Sequence, residues 1–279
     1  MTRRICFLGN SHIACLRQAW AREPLRWPGI APLFVGGHRN LLLDTAEIGR
    51  RLVPTSDGAA RAFSDLAGID HIDLDDYDAF VITGCLVSLG CIANLYRDAR
   101  WLDLPSVAAH DDLAADPAIL MSDAAVQMTA EDILSRRLGL RVARHLREMT
   151  DRPIVVTSQA RVSAIIEEAH RPGTRAHHAA LKAGDAAALS DLFDNSALRV
   201  CREAGTTFLP QPRHTITKHI LTARPYMDGA VRLTADGDTP QPPKDITHAN
   251  ARYGAAVLDQ ISAHFGVSAE TQGSFGRAS

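Results

Sequence analysis

The sequence predicts a three-layer α/β/α protein in which a doubly wound parallel sheet of about five strands lies between two layers of helices. Short apolar runs alternate with longer segments whose apolar residues recur at helical spacing. This alternation is typical of parallel βαβ units. Several of the runs end in glycine or proline, residues that stop a strand. With 279 residues, the chain is long enough to bury a sizeable core.

The first strand is predicted at Arg4–Leu8. Gly9-Asn10-Ser11-His12 follows as a sharp turn, and Ile13–Trp20 continues as a helix. Ser11 therefore stands at a helix N-terminus, where free N–H groups and the helix dipole favour negative charge beside its hydroxyl. Two readings stay open, since Ser11 is either a plain helix cap or a nucleophile.

The later elements are predicted from the same patterns. The further strands are Ala31–Val35, Tyr77–Thr83, Ile154–Thr157 and Thr206–Leu209. Helices are predicted from a cap at Thr129 to Met149, over Ala186–Ala204, and over a terminal segment containing Tyr253, Val257, Leu258 and Ile261. The stretch from Leu41 to Ile72 stays unassigned. Residues 85–128 are interpreted as an insertion over the strand ends, within one domain covering 1–267, and residues 268–279 as a disordered tail.

Composition excludes several classes of function. The formal net charge of −2 supplies no basic field for nucleic acid or an anionic membrane. No apolar run approaches the roughly 20 residues of a membrane helix, and no secretory signal is evident, so a cytoplasmic location is expected. The five cysteines lack metal-like spacing and are expected to be buried thiols.

A histidine-rich stretch contains His170, His177 and His178. These side chains could bind a metal or belong to a solvated loop or helix end. The second interpretation is preferred, because no cysteine or carboxylate stands at a metal-ligand spacing around the pair. No metal and no organic cofactor are predicted.

Ligands of doubly wound sheets bind at the carboxyl ends of strands, where the winding direction reverses. Ser11, the pair Gly36-Gly37 and Gly84 all follow predicted strands. If the strand order is flavodoxin-like, the loops after the first and third strands meet at that reversal. The sequence thus places these residues at one edge of the sheet.

Near the C-terminus, a loop rich in Pro, Gly and Asp leads to Asp245 and His248, three positions apart. In a tight turn, this spacing lets the carboxylate reach the imidazole, fix its tautomer and stabilise its protonated form. The alternative is that Asp245 or Thr247 caps the terminal helix and that His248 is an exposed residue of its first turn.

Together these blocks resemble the SGNH (GDSL-like) hydrolase superfamily. Gly9-Asn10-Ser11 is similar to the Gly-Asp-Ser block, with Asn10 in place of Asp, and Asp245-x-x-His248 matches the Asp-x-x-His block. The resemblance implies a Ser11 nucleophile, with His248 as its base and Asp245 orienting the imidazole. It also implies that the backbone N–H groups of Ser11 and of Gly37 or Gly36 stabilise the oxyanion, with Gly84 among the oxyanion- or substrate-binding residues.

The third block of the family reads Gly-x-Asn-Asp, and its Asn side chain donates to the oxyanion. In this sequence the corresponding block begins at Gly84, and Leu86 stands where the family has Asn. An apolar side chain cannot donate a hydrogen bond. Either Asn40 or Ser88 substitutes for the missing amide, or the enzyme is slow, or catalysis has been lost.

The function that the resemblance implies is hydrolysis of a small or carbohydrate ester, of the acetyl type, through an acyl-enzyme. The expected partner is a small-molecule or saccharide ester, and the chemistry needs no cofactor. Two alternatives are an O-acyltransferase acting on a saccharide and a non-catalytic ligand-binding module. Both catalytic hypotheses require Ser11 and His248 to lie within hydrogen-bonding distance.

Overall fold

The computed structural model describes residues 2–37, 40–109, 118–168, 171, 173–234, 237–242 and 244–267. Its strands are β1 Arg3–Gly9, β2 Ile30–Gly36, β3 Thr45–Ile48, β4 Arg51–Pro54, β5 Ile72–Asp73, β6 Ala79–Thr83, β7 Ala99–Trp101, β8 Ile119–Met121, β9 Ile154–Thr157, β10 Thr207–Leu209, β11 Ile216–Thr217, β12 Leu221–Thr222, β13 Val231–Thr234 and β14 Gly237–Pro240. Its helices are α1 Ile13–Arg22, α2 Asp57–Ala67, α3 Gly90–Asp98, α4 Pro105–Ala108, α5 Asp123–Ser135, α6 Leu138–Arg147, α7 Arg175–Ala183, α8 Ala186–Glu203 and α9 Ala251–His264.

The central sheet has the strand order β2-β1-β6-β9-β10, and all neighbours are parallel. Counted along the chain, this is the doubly wound order 2-1-3-4-5, so the predicted fold class is confirmed. In the register of the sheet, Gly9 pairs with both Gly36 and Thr83. The carboxyl ends of β1, β2 and β6 are therefore level at the reversal point.

Helices cover both faces of the sheet. Ile5 and Phe7 of β1 belong to an apolar cluster with residues of α1 and α9. Cys6 and Leu8 point to the opposite face, into a larger cluster with residues of α2, α3, α5, α6 and α8. The alternation follows from the two-residue period of a strand, and it yields the predicted three layers.

Helices α1 and α9 touch at their backbones. A Cβ atom on Gly254 would lie only 2.0 Å from the carbonyl oxygen of Cys15. No other residue type fits there without moving one of the two helices. This contact holds the element that follows Ser11 against the element that follows His248.

The helix predicted from Thr129 to Met149 is wrong in its boundaries. Two helices cover this stretch, α5 and α6, and Arg137 between them is extended, with φ −73° and ψ 153°. Ser122 caps α5 by accepting the Ala125 N–H at 3.2 Å. The Thr129 hydroxyl lies inside the helix and donates to the Ala125 carbonyl at 2.7 Å, so it satisfies a backbone acceptor instead of capping.

Part of the predicted insertion is tied to the rest of the molecule by a buried carboxylate. Asp185, with no exposed surface, accepts the Tyr96 hydroxyl at 2.6 Å and the Ser106 N–H at 2.9 Å. The Ser106 hydroxyl also donates to it. These bonds connect α3 and α4 to the start of α8.

The expectation of a solvated histidine stretch is wrong for His177. This side chain lies in α7 and is only 2% exposed. Burial, and next the nearby His178, lower the pKa of His177 to about 4. Its helix packs against α3 and α8, which explains why the ring is covered. His170 and the predicted disordered tail at 268–279 lie outside the described residues.

None of the described helices combines the length and the apolar character that crossing a lipid bilayer would require.

Candidate active site

The turn between β1 and α1 presents Ser11 at the sheet edge. This turn requires the glycine at position 9, because a Cβ atom there would lie only 2.8 Å from the Thr83 side chain. The Asn10 carbonyl oxygen accepts the Ile13 N–H at 3.0 Å, and the Asn10 side-chain oxygen accepts the His12 N–H at 3.2 Å. Asn10 thus stabilises the turn, and the Ser11 side chain does not serve as a helix cap.

Ser11, His248 and Asp245 form a hydrogen-bonded chain, which we call the triad. The Ser11 hydroxyl lies 2.9 Å from Nε2 of His248, although the two residues are 237 positions apart. Nδ1 of His248 lies 2.7 Å from Oδ2 of Asp245. The distance between Ser11 and His248 therefore agrees with the expectation from the sequence. With Nδ1–H donating to Asp245, Nε2 is free to accept the Ser11 proton.

Asp245 is held as a carboxylate. Its Oδ1 accepts the backbone N–H groups of Thr247 at 2.8 Å and His248 at 2.7 Å. Desolvation raises the pKa of Asp245, but the hydrogen bonds from the His248 ring and from these backbone groups outweigh it and lower the pKa below its usual range. The side chains of Asp245 and His248 are 18% and 17% exposed, so solvent screens their pairing only in part.

The triad residues do not cap the terminal helix. Asn250 does so, since its side-chain oxygen accepts the N–H groups of Arg252 and Tyr253. Its side-chain amide donates to the carbonyl oxygens of Pro225 and Asp228. The alternative in which Asp245 or Thr247 is the cap is therefore wrong. The preference for Asn at the N-cap was a usable signal in the sequence.

His12 stacks on His248, a contact that sequence reasoning missed. The ring centroids are 4.4 Å apart and the planes differ by 11°. Desolvation, and next the proximity of His248, lower the pKa of His12 to about 3, while Asp245 opposes this shift. His12 is therefore neutral near pH 7 and a much weaker proton acceptor than an ordinary histidine.

The turn after β6 packs directly on the turn Gly9–His12. A Cβ on Gly84 would lie 2.5 Å from the Asn10 side-chain oxygen and 2.7 Å from Cβ of His12. Gly84, Cys85 and Leu86 all have positive φ, at 71°, 51° and 65°. Two consecutive non-glycine residues in this region store backbone strain, which is common at functional sites.

Leu86 supplies no side-chain hydrogen-bond donor, as its residue type indicated. The side chain is 47% exposed, and its backbone N–H donates to the side-chain oxygen of Gln159 at 3.3 Å. Gln159 follows β9 and also donates its own N–H to the Val87 carbonyl at 2.8 Å. Sequence reasoning did not identify Gln159, which brings a carboxamide to this turn.

The predicted oxyanion groups differ in their availability. The Gly37 N–H donates to the Gly9 carbonyl at 2.8 Å and so extends the pairing of β1 with β2. In this structure the Gly37 hydrogen is already used within the sheet, and its role as an oxyanion donor stays a prediction. The Ser11 N–H, by contrast, has no acceptor among the described residues and lies on an exposed turn.

Neither proposed substitute for the missing amide joins the triad. Ser88 is buried, and its hydroxyl lies 3.7 Å from the Cys91 sulfur. Asn40 is exposed and begins the turn at Leu41–Leu43. Within the described part of the chain, neither side chain is hydrogen-bonded to Ser11 or His248.

A cavity of about 270 Å³ adjoins the triad on the side of Asp245 and His248. Its remaining lining comes from the segment between Met227 and Ala230, from the end of β14 with Gln241 and Pro242, and from Ser163 and Ile165. Across the described ranges, no three His, Cys, Asp or Glu side chains are arranged to hold a metal ion.

Comparison of the chain with the models of protein families, with curated proteins and with solved structures gives no match.

Proposed function

We propose that this protein is a serine esterase of the SGNH type, which hydrolyses a small or carbohydrate ester through an acyl-enzyme on Ser11. The observation that carries the proposal is the hydrogen-bonded chain from Ser11 through His248 to Asp245, with distances of 2.9 and 2.7 Å. A nucleophile in contact with a base, which a third group orients, is the arrangement that activates serine hydroxyls.

In the proposed mechanism, Nε2 of His248 accepts the Ser11 proton as the hydroxyl oxygen attacks the ester carbonyl. The tetrahedral intermediate then breaks its bond to the alcohol oxygen, which takes the proton from His248. Water repeats the sequence, again with His248 as the base, and releases the acid from Ser11. Asp245, a carboxylate in the folded protein, stabilises the imidazolium in both steps.

The Ser11 N–H is the backbone group best placed to stabilise the oxyanion. Loss of one oxyanion donor typically lowers the rate by about 10²–10³. Since Leu86 supplies no amide and the Gly37 hydrogen is used, we expect slow turnover compared with enzymes that have the full set of donors.

We propose a cytoplasmic location, where a reducing environment suits the five free cysteines. The proposed partner is a small-molecule or saccharide ester, without nucleic acid and without a required cofactor. Leu86 favours one competing function, a ligand-binding module that has lost catalysis, because it removes a donor on which catalysis depends.

Labelling with a fluorophosphonate tests the proposal. We expect a covalent adduct on Ser11 and turnover of 4-nitrophenyl acetate, both lost in Ser11→Ala. Ser64→Ala, at an exposed serine of α2, is the matched control and should retain both. A folded protein without an adduct on Ser11 would support the binding module instead. Product analysis with an acyl donor and a glycan acceptor separates hydrolysis from acyl transfer.

A further inference from the structure

We infer that the cavity beside His248 binds the alcohol part of the ester, and that it selects a single-ring alcohol that is neutral or cationic and rejects anionic ones. The inference rests on the proposed function and adds the chemistry of the leaving group. It follows from the position, size, lining and charge of the cavity.

The position follows from proton transfer. His248 must return the proton to the leaving oxygen, so the alcohol must approach the ring of His248. The cavity contacts His248 and Asp245, and its described lining includes no residue of the turns Gly9–His12 and Gly84–Leu86. It therefore lies on the side of the base, away from the Ser11 N–H that would bind the oxyanion.

The size limits the alcohol. A volume of about 270 Å³ is just below the roughly 300–1,000 Å³ of pockets for drug-sized ligands. It suits one six-membered ring with small substituents, and an oligosaccharide or a lipid chain would extend into solvent.

The lining combines apolar contact with hydrogen-bonding groups. Met227 and Ala230 are buried and offer an apolar surface. Ser163 is 2% exposed; its hydroxyl accepts the Ile165 N–H at 3.3 Å but donates to no acceptor within the described residues. The side chain of Gln241 likewise has no hydrogen-bond partner there. Both can bind hydroxyl groups of a ligand.

The charge of the cavity is negative. Asp228 and Asp245 contribute carboxylates, and the described lining contains no Lys or Arg. Arg224 lies 3.4 Å from Asp228 but is shared with Glu168 at 2.8 Å, so it does not neutralise both. Lys244 is exposed and does not line the cavity. An anionic alcohol would meet the like charge of Asp245 and of Asp228, which Arg224 compensates only in part.

The test compares three acetate esters of phenols that share the acyl group. They are 3-acetoxy-N,N,N-trimethylanilinium, its neutral isostere 3-tert-butylphenyl acetate and 3-acetoxybenzoate. Each kcat/KM is divided by the rate of hydroxide hydrolysis of the same ester, which removes differences in intrinsic reactivity. We expect the cationic and neutral esters to exceed the anionic one by about tenfold or more.

Asp228→Lys should reduce this preference by about tenfold, whereas Asp65→Lys, the same charge change at an exposed site on α2, should leave it unchanged. Inhibition of the unmodified protein by the three product phenols should follow the same order and does not depend on a variant. Equal rates and equal inhibition across the three charges, with Ser11 still labelled, would overturn the cavity assignment alone. Absence of turnover and of Ser11 labelling would overturn the esterase proposal and this inference together.

Discussion

The rings of His12 and His248 are stacked with centroids 4.4 Å apart and planes inclined by 11°. The residue that follows Ser11 thus contacts the histidine to which Ser11 is hydrogen-bonded. Because the pKa of His12 is lowered to about 3, this ring is neutral near pH 7. A neutral flat ring supports the orientation of His248 without repelling its protonated form.

Replacement of His12 should reveal this positioning role. We expect His12→Ala to lower kcat/KM for 4-nitrophenyl acetate by about tenfold or more, since small displacements of reacting groups cost up to about 10² in rate. His12→Phe retains a flat ring and should keep most of the activity. The melting temperature of each variant is measured as well, to show that the loss of activity does not come from unfolding. Equal losses in both variants would assign the effect to the imidazole nitrogens and not to stacking.

A side-chain amide at position 86 should raise the rate. We expect Leu86→Asn to increase kcat by about tenfold, since a missing oxyanion donor typically costs 10²–10³ and a restored donor recovers part of this. Asn also tolerates the positive φ of 65° at this position. Leu86→Asp is the control, because the Asp side chain has the shape of Asn but carries no donor hydrogen near pH 7. Identical kcat values in these two variants would contradict the expectation.

Burial of His177 should make the fold sensitive to mild acid. The pKa of His177 is about 4 in the folded protein and 6.5 ordinarily. Between these values the unfolded state binds more protons, so the free energy of unfolding decreases as the pH falls from 6.5 to 4 and loses no more below 4 through this group. The full effect is about 3 kcal/mol, from about 1.4 kcal/mol per pH unit.

Urea denaturation between pH 4 and pH 7 measures this effect. His177→Phe should lower the slope of the unfolding free energy against pH by up to about 1.4 kcal/mol per pH unit, which is the contribution of one proton. His264→Gln, at an exposed position near the end of α9, should keep the original slope. If both variants retained it, His177 would not be the group responsible.

The buried carboxylate of Asp185 should matter more for stability than any single donor to it. We expect Asp185→Ala to lower the free energy of unfolding by about 3 kcal/mol, because Tyr96 and Ser106 would keep buried donors without an acceptor. Tyr96→Phe removes one donor and should cost about 1 kcal/mol. Urea denaturation at constant pH compares them. Similar losses in both would show that water replaces the carboxylate.

The central strands could be predicted because parallel strands buried on both faces read as short continuous apolar runs. Their ends coincide with residues such as Gly9 and Gly36, where the sheet stops. The two helices between 123 and 147 were harder to predict. Thr129, followed by acidic residues, resembles a cap, and only backbone geometry shows that Ser122 begins the helix and that Arg137 interrupts it.

The pairing of Asp245 with His248 could be predicted from spacing, since a carboxylate three positions before a histidine can orient it. The resemblance to SGNH hydrolases then added Ser11 to the pair. The contacts around the triad could not be predicted. The stack of His12 on His248 and the bond from Leu86 to Gln159 join loops that are distant in sequence. The use of the Gly37 hydrogen depends on how far the pairing of β1 and β2 extends, which residue types do not reveal.

The contact of Gly254 with the Cys15 carbonyl bears on the order of events during synthesis. Ser11 leaves the ribosome before His248, which lies 237 positions later. The turn that carries Ser11 is therefore made well before its hydrogen-bond partner. Only when α9 docks on α1, which the missing side chain of Gly254 permits, can Ser11 and His248 meet, so a chain synthesised only as far as α8 has no complete triad.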